Sequence, residues 1–419
     1  MPLADFFPPR FRLGRLAHNT VLATFWQFGR VGGQALWVIV IARSLGPSGY
    51  GVFAGTAGLA VALGGLAGLG TGYLLLQAVS RDRESFGAYW RKALLTSLAS
   101  GLILAAIFTA IASLVLGHAA GPEIIVVIAF SELVCYPLVY ASAFAFQAHE
   151  KLGWSSALTT WMAAARLLAA ILFWATDASQ GLTGYIWFHL GASLLTALAA
   201  ITLVQRMLRP QSTRFTLTPG EVKEGLSFSA VWFTSNAAAE LDKTLALKLM
   251  GSEVAGLYAA AYRLASALTV PVISLSLAAQ PRMFRHAANP SEGNPRLVQH
   301  LVVVTLIYSV AASVALFFLA GILPWLLGPA FAHSVPAARM LVLLPPLYSL
   351  RAIGNTVLMT NGRQLVRALT ECAGIAALIV FALIWMPRYG LTGAVMAVIA
   401  TEALLASLVW AVVWKTQRK

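Results

Sequence analysis

The chain of 419 residues is a series of long apolar segments separated by short polar ones. About twelve of these segments approach the roughly 20 apolar residues that a membrane-spanning helix needs. They lie at 19–43, 50–78, 92–117, 124–147, 157–176, 182–205, 227–250, 254–280, 297–323, 336–360, 365–386 and 390–414. The pattern predicts an all-α integral membrane protein with about twelve transmembrane helices.

Two short motifs recur at nearly the same offset. LGPSGYGVFAGTAGLA (Leu45–Ala60) is echoed 205 positions later (45 to 250) by MGSEVAGLYAAAYRLA (Met250–Ala265). Gly181–Gly184 and Gly390–Gly393 repeat GLTG in the same way. The echoes indicate a duplicated bundle, a common architecture of transporters. About six spans in each half would place the two lobes in the same orientation, related by a parallel pseudo-two-fold axis along the membrane normal.

The duplication predicts an N-terminal six-helix lobe at 1–205, a cytoplasmic linker at 206–226 and a C-terminal six-helix lobe at 227–419. Within the linker, Thr218-Pro219-Gly220-Glu221 has the spacing of a helix capping box with proline at the first helical position. It favours a short amphipathic helix leading into the seventh span, although an unstructured linker fits the same residues.

Composition and charge narrow the class further. The chain is 59% hydrophobic and 11% charged, whereas soluble globular proteins carry about 25% charged residues. The formal net charge of +14 comes mostly from basic residues at alternate ends of the spans, and the positive-inside rule then places both termini in the cytoplasm. The basic excess is therefore a topology signal, and nucleic acid is not an expected partner.

Motifs for covalent chemistry are missing from the sequence. It contains no Walker motif, no Cys/His cluster with metal-ligand spacing, no Ser-His-Asp arrangement and no loop long enough for a soluble domain. We therefore expect no catalytic residue, no metal site, no bound cofactor and no enzyme activity.

Charged residues inside spans are costly unless they face a bundle interior or a wet cavity. In the first span, Gln27, Arg30 and Gln34 share one helical stripe, because residues three or four apart are neighbours on a helix. We interpret this stripe as cavity lining, with a polar contact between helices as the alternative.

The seventh and eighth spans carry a second charged group. Asn236, Glu240 and Lys243 form one stripe, and Asp242 lies on another face. We expect Asn236 and Lys243 of this stripe to line the cavity, with Lys243 helping to bind the substrate anion. At about 1.5 Å per residue, Glu240, Asp242 and Arg263 are equally deep in the hairpin. They form either a permanent ion pair or a switchable one, in which Arg263 exchanges a carboxylate for a substrate anion.

Arg166 and Arg351 are further cavity candidates, or they pair with the intramembrane carboxylates of Glu132, Glu371 or Glu402. Arginine keeps its charge and binds phosphate oxygens through two parallel hydrogen bonds. A cavity rich in arginine therefore favours an anionic substrate, for example a diphosphate head group.

The motifs around both repeats resemble those of a known family. Leu45–Ala60, together with Asn236–Ala265, Gly328–Leu350 and Tyr389–Glu402, is similar to segments of O-antigen and exopolysaccharide flippases. These belong to the multidrug/oligosaccharidyl-lipid/polysaccharide (MOP) exporter superfamily. Asp242 and Arg263 occupy the places of an Asp and a basic residue in the second-half motif. The resemblance extends over essentially the whole chain.

The resemblance implies a function, which we state as an expectation. Members flip polyprenyl-diphosphate-linked oligosaccharides from the cytoplasmic to the periplasmic leaflet by alternating access, for lipopolysaccharide and other surface polysaccharides. Arg30 and Arg263 would hold the diphosphate. The expected setting is a bacterial inner membrane, with membrane lipid, the lipid-linked glycan and the polymerase and chain-length machinery as partners.

Coupling is expected through a proton or sodium gradient, with Glu240 or Asp242 as the switch. Three other functions remain open. A multidrug or metabolite antiporter would need an acidic or apolar cavity. A glycan polymerase or ligase would need a substantial outside loop. A scaffold without transport would leave the buried charges unexplained.

Overall fold

The computed structural model describes residues 15–176, 180–211, 215–288 and 296–417. Helices fill these ranges, and no strand occurs in them. The helices are α1 (Arg15–Gly64), α2 (Thr71–Arg81), α3 (Phe86–Leu116), α4 (Pro122–Phe130), α5 (Tyr136–Ala148), α6 (Leu152–Thr176), α7 (Gly181–Leu208), α8 (Pro219–Met250), α9 (Ser252–Ala267), α10 (Val270–Ala288), α11 (Leu297–Leu319), α12 (Leu323–Leu327), α13 (Ser334–Met340), α14 (Leu344–Thr360) and α15 (Gln364–Gln417).

The spans can be counted on these helices. In the described part of the chain, eight helical segments are long and apolar enough to cross a membrane, and the bent pair Ser252–Ala267 with Val270–Gln280 makes a ninth. Non-helical glycines at Gly46 and Gly390 divide the two longest segments, so each of these holds two spans. Counting α8 as a further span, although it is less apolar than the others, gives the twelve spans that the sequence predicts within the described residues. The all-α membrane architecture is therefore confirmed.

The duplication is visible in the backbone. Gly46 (φ 67°, ψ 178°) and Gly251 (φ 84°, ψ 171°) occupy equivalent positions in the two motifs and share one conformation. Gly181 and Gly390 match in the same way, with φ of 59° and 53°. A positive φ is cheap only for glycine, so Gly46 and Gly251 each end one helix and redirect the chain into the next. The repeated motif is therefore a repeated helix–helix corner.

The two repeated corners also pack on each other. A Cβ atom on Gly51 would lie 1.8 Å from the carbonyl oxygen of Ser252, and one on Gly256 would lie 1.9 Å from that of Pro47. A shift of 205 positions (46 to 251) converts each contact into the other, which is the signature of a local two-fold relation. Glycine at both positions lets the helix backbones touch.

By its internal contacts the chain divides into two compact units. Unit 1 comprises Met1–Val40, Leu66–Thr109 and Val126–Ala230, and unit 2 comprises Ile41–Gly65, Ala110–Ile125 and Val231–Lys419. This division differs from the division by duplication into 1–205 and 227–419, which stays a prediction. Each unit has an apolar core of its own: Leu75, Trp90 and Phe146 are buried in unit 1, and Ile353 and Val409 in unit 2.

The capping box at the start of α8 forms as the sequence indicates. The backbone N–H of Thr218 donates to Glu221 Oε2 at 2.9 Å, and the backbone N–H of Glu221 donates to Thr218 Oγ1 at 3.3 Å. The linker residues from Pro219 onwards are helical and lead into the seventh span, and they belong to the same helix as that span, because α8 continues without a break. No proline follows Pro219 in this stretch to end it.

We predict that the Glu221 carboxylate gives unit 1 a pH-dependent stability. Burial raises its pKa, but the hydrogen bonds from Lys92 (2.6 Å) and Thr218 outweigh burial and hold the pKa at about 2. Because the folded-state pKa is depressed from 4.5, this contribution is present above pH 4.5 and is lost as the pH falls towards 2. Glu221→Gln should cost about 1–3 kcal/mol at pH 7 and flatten the acid limb of a thermal-unfolding profile.

The control for this measurement is Glu150→Gln. Glu150 pairs with Arg83 at 3.9 Å on the surface, with side chains 83% and 67% exposed. Such pairs contribute little, so this variant should unfold like the parent protein across the pH series. Equal acid sensitivity of Glu221→Gln and the parent would contradict the prediction.

Candidate functional site

A pocket in unit 1 contains the polar stripe of the first span. Its wall includes Arg30, Gln34 and Trp37 of α1, Tyr136 and Tyr140 of α5 and Arg166 of α6. Aromatic and hydroxyl side chains therefore surround two guanidinium groups. The structure places Arg30, Gln34 and Arg166, three of the candidate residues, around one opening.

Arg30 is the more available of the two guanidinium groups. It is half-buried, and its Nε donates to Gln27 Oε1 at 3.2 Å. Among the described residues, no carboxylate lies within 4.0 Å of it. Gln27 therefore orients the guanidinium without neutralising it, and the charge of Arg30 is directed to whatever enters the pocket.

Arg166 is paired, one of the two alternatives left open by the sequence. Its Nη2 forms an ion pair with Glu132 Oε1 at 2.8 Å, and its Nη1 donates to Glu132 Oε2 at 3.4 Å. Its Nε donates to Ser193 Oγ at 3.2 Å. Both charged side chains are buried, at 11% and 5% exposure. The pair contributes no net charge, so the pocket as a whole carries the positive charge of Arg30.

Behind this pair lies a chain of polar groups whose pairing the sequence did not predict. The Nε2 atom of His189 is 3.0 Å from Glu132 Oε1, and its Nδ1 is 3.4 Å from Tyr185 OH. Trp37 Nε1 donates to the same hydroxyl at 2.7 Å. Glu132 itself is in a π-helical turn between α4 and α5, Ser131–Cys135. Single π-helical turns are frequent at functional sites, but the local sequence does not predict them.

In unit 2, the carboxylate that reaches Arg263 is that of Glu240. Its Oε2 lies 3.6 Å from Arg263 Nη2, and the Arg263 side chain is 42% exposed. The equal depth of the two residues in the hairpin therefore does bring them together. Asp242 instead accepts a hydrogen bond from Tyr258 OH at 2.5 Å and one from Lys243 Nζ at 3.1 Å.

Lys243 and Asn236 differ from the cavity positions expected for them. Lys243 is 1% exposed, and its Nζ donates to the carbonyl of Ala239 at 2.6 Å and lies 3.1 Å from Glu240 Oε2. Asn236 donates to the carbonyl of Val61 at 3.2 Å. Their stripe faces neighbouring helices, because α8 packs closely against the glycine-rich second part of α1. Asn236 thus joins α8 to α1, whereas the polar contacts of Lys243 stay within α8 and only its contact with the Tyr262 ring, at 4.2 Å, reaches α9.

Arg351 is also paired rather than open to a cavity. Its Nε and Nη2 donate to the two carboxylate oxygens of Glu402 at 2.7 and 3.0 Å. Its Nη1 lies 3.3 Å from Glu371 Oε1, and its guanidinium carbon is 4.9 Å from the centre of the Tyr348 ring. Arg351 therefore forms ion pairs with two buried carboxylates.

Comparison with known protein families identifies the family of this chain. Residues 16–287 match the family described as polysaccharide biosynthesis protein. The chain belongs to this polysaccharide biosynthesis family. No curated protein sequence gives a significant match.

Solved structures extend the likeness of this polysaccharide biosynthesis protein to its fold. It is similar to the inward-facing conformation of a multidrug resistance MATE family transporter of the MOP superfamily, with TM-score 0.74, 15% identity and coverage of 92% of this chain and 94% of the other. The lipid II flippase MurJ in an inward closed conformation gives TM-score 0.73, 12% identity and coverage of 94% and 87%.

A MOP superfamily transporter from Pyrococcus furiosus, described as having a binding pocket of reverse polarity, gives TM-score 0.59, 15% identity and coverage of 96% and 94%. These likenesses show that the chain shares the fold of these transporters. The chain is therefore a multi-pass membrane protein with the fold of a transporter.

Proposed function

We propose that this protein flips a polyprenyl-diphosphate-linked oligosaccharide from the cytoplasmic to the periplasmic leaflet of a bacterial inner membrane by alternating access. Its product would feed surface polysaccharide synthesis, such as that of O-antigen or exopolysaccharide, beside a glycan polymerase and its chain-length machinery. Family membership supplies the polysaccharide context, and the transporter fold supplies the movement across the bilayer.

The observation that carries the proposal is the charge of the unit 1 pocket. Arg30 lines it without a carboxylate within 4.0 Å among the described residues, and the charge of Arg166 is balanced by Glu132. A pocket with an excess positive charge at membrane depth selects an anion, and arginine fits phosphate oxygens in pairs. In the proposed mechanism Arg30 holds the diphosphate in this pocket.

Arg263 is the second proposed anion contact. It is half exposed and held by Glu240 at the long distance of 3.6 Å. Because Arg263 is partly exposed and its contact with the carboxylate is long, a diphosphate that enters can exchange with the carboxylate for the guanidinium. Lys243, through its own contact with Glu240, would keep that carboxylate neutralised after the exchange.

A cationic-drug antiporter would require an acidic or apolar pocket, and the unit 1 pocket carries the opposite charge. A polymerase or ligase would require groups for covalent chemistry. The pocket offers arginines, amides and phenols, which suit binding of an anion more than transfer of a glycosyl group.

The testing experiment is flipping in proteoliposomes. The substrate is a polyprenyl-diphosphate oligosaccharide with a fluorophore on the glycan, and dithionite outside the vesicles reports the leaflet. Loss of one charge-assisted contact of about 1.5–3 kcal/mol should slow flipping by Arg30→Ala about 10- to 100-fold. Arg30→Lys should retain part of the rate, since it keeps the charge but loses the paired hydrogen bonds.

The matched control is Arg43→Ala, which removes an exposed arginine from the same helical segment and should flip at the parental rate. Flipping unchanged in the double variant Arg30→Ala with Arg263→Ala would overturn the proposal. Transport of a cationic dye in place of the glycan lipid would favour the antiporter.

A further inference from the structure

One buried charge cluster in unit 2 has a composition unlike the others. Arg351 and Asn355 lie one turn apart on α14, and Glu371 and Glu402 come from the two parts of α15 on either side of Gly390. The side chains of Arg351, Glu371 and Glu402 are 13%, 5% and 9% exposed. The cluster therefore lies inside unit 2, where an unbalanced charge is expensive.

This cluster differs from the other two buried charge clusters in its balance of positive and negative charges. Arg166 balances Glu132 in unit 1. In the hairpin, Lys243 and Arg263 balance Glu240 and Asp242.

In the third cluster, the single cation Arg351 pairs with the two carboxylates of Glu371 and Glu402, so these ion pairs have one excess negative charge. The other ionisable groups near it are the phenols of Tyr348 and Tyr262 and the guanidinium of Arg367. Arg367 donates to Met359 Sδ at 3.7 Å, and within the described residues no carboxylate lies within 4.0 Å of it.

The hydrogen bonds show which carboxylate is held less firmly as an anion. Glu402 receives two short bonds from Arg351, at 2.7 and 3.0 Å. The two carboxylate oxygens of Glu371 are 3.3 and 3.4 Å from Arg351 Nη1. The short hydrogen bond of Glu371, 2.7 Å at Oε1, comes from Nδ2 of the neutral Asn355 amide. The excess negative charge therefore belongs to Glu371.

Asn355 supplies an independent observation. Its side chain is buried, and its Oδ1 atom finds no hydrogen-bond donor among the described residues. A buried acceptor without a donor costs about 1–3 kcal/mol. The same amide already donates to Glu371 through Nδ2, so the Glu371 carboxyl group is the neighbour that can supply this donor if it carries a proton.

We propose that Glu371 is a proton-binding site, holding a proton in this conformation in a paired contact with the Asn355 amide. A carboxylic acid and a primary amide form a closed pair, in which the amide N–H donates to one carboxyl oxygen and the acid O–H donates to the amide oxygen. The proton supplies the donor that Oδ1 lacks and brings the cluster to zero net charge. A metal cation would instead sit against the guanidinium of Arg351, which repels it.

The charge of the Glu371 cluster can also affect the charged residues of the α8–α9 hairpin. This coupling to transport rests on the proposed function. The Tyr262 ring lies 4.2 Å from Lys243 Nζ and within electrostatic reach of Glu402 and Arg351. Loss of the proton would restore the negative charge and draw cations of unit 2 towards it. Lys243 would then hold Glu240 less strongly, and Glu240 would compete for Arg263. Proton release at Glu371 would thus help expel the diphosphate.

The experiment is infrared spectroscopy of the purified full chain at neutral pH in an ester-free detergent, in H₂O and D₂O. The parent protein should show the carbonyl band of a protonated, hydrogen-bonded carboxyl group, shifted in D₂O. Glu371→Gln should lose the band and keep the parental melting temperature, because its amide repeats both hydrogen bonds with Asn355. Glu402→Gln should also lose it, since Glu371 then becomes the sole partner of Arg351 and ionises.

Glu150→Gln is the control and should retain the band, because it alters an exposed carboxylate of unit 1 and leaves the buried charges of unit 2 intact. A parent protein without the band, or Glu371→Gln with it, would overturn the proposal. Stabilisation by Na⁺ in the absence of the band would point to a metal cation and would also overturn it. None of these readouts uses a glycan lipid, so failure of the flipping assay leaves this test unaffected.

Discussion

Replacing Gly51 with alanine is expected to destabilise the protein by about 3 kcal/mol or more, as overpacking does at a site that cannot yield. The new Cβ atom would lie 1.8 Å from the carbonyl oxygen of Ser252 and 2.6 Å from the backbone nitrogen of Gly256. Both are backbone atoms at the start of α9, so no side chain can rotate away. The corner helices would have to separate.

The reciprocal change Gly256→Ala should have a similar effect, because its Cβ atom would meet the carbonyl oxygen of Pro47 at 1.9 Å. The matched control is Gly32→Ala, a helical glycine with nothing within 4 Å of the added atom. It should be neutral or slightly stabilising, since alanine is the better helix former. Melting temperatures measured through tryptophan fluorescence would compare the three variants. Equal stability of Gly51→Ala and Gly32→Ala would contradict the prediction.

The sequence predicted what depends on local geometry. A fixed rise per residue placed Glu240 and Arg263 at one depth, and the structure brings them to 3.6 Å. The glycines of the repeated motif also have a local cause, because the conformation shared by Gly46 and Gly251 requires glycine. Span number follows from apolar length in the same way.

The sequence could not predict which charged residues far apart in the chain form ion pairs. Arg166 and Glu132 are separated by 34 positions, and Arg351 and Glu402 by 51. Each arginine had several carboxylates within reach of the same membrane depth, and helix order alone does not choose among them. For Lys243, periodicity identified the stripe but not what packs on it. A stripe facing another helix and one facing a cavity have the same spacing.

The pairing of Arg166 with Glu132 leads to the second large expected effect. Glu132→Gln should destabilise unit 1 by about 3–5 kcal/mol, because it leaves the buried guanidinium of Arg166 without its counter-charge. His189 cannot compensate, since it is a donor to Glu132 and adds no negative charge. Ser193, the remaining polar contact of Arg166, offers only a hydroxyl.

The double variant Glu132→Gln with Arg166→Met should recover most of that loss. Removing both charges together eliminates the uncompensated ion, and replacing a buried pair by neutral groups of similar volume is often neutral. A double-mutant cycle on unfolding free energies would measure the coupling. A double variant as unstable as Glu132→Gln alone would show that the carboxylate serves chiefly His189, and the pocket charge assigned to Arg30 would then have to be counted again.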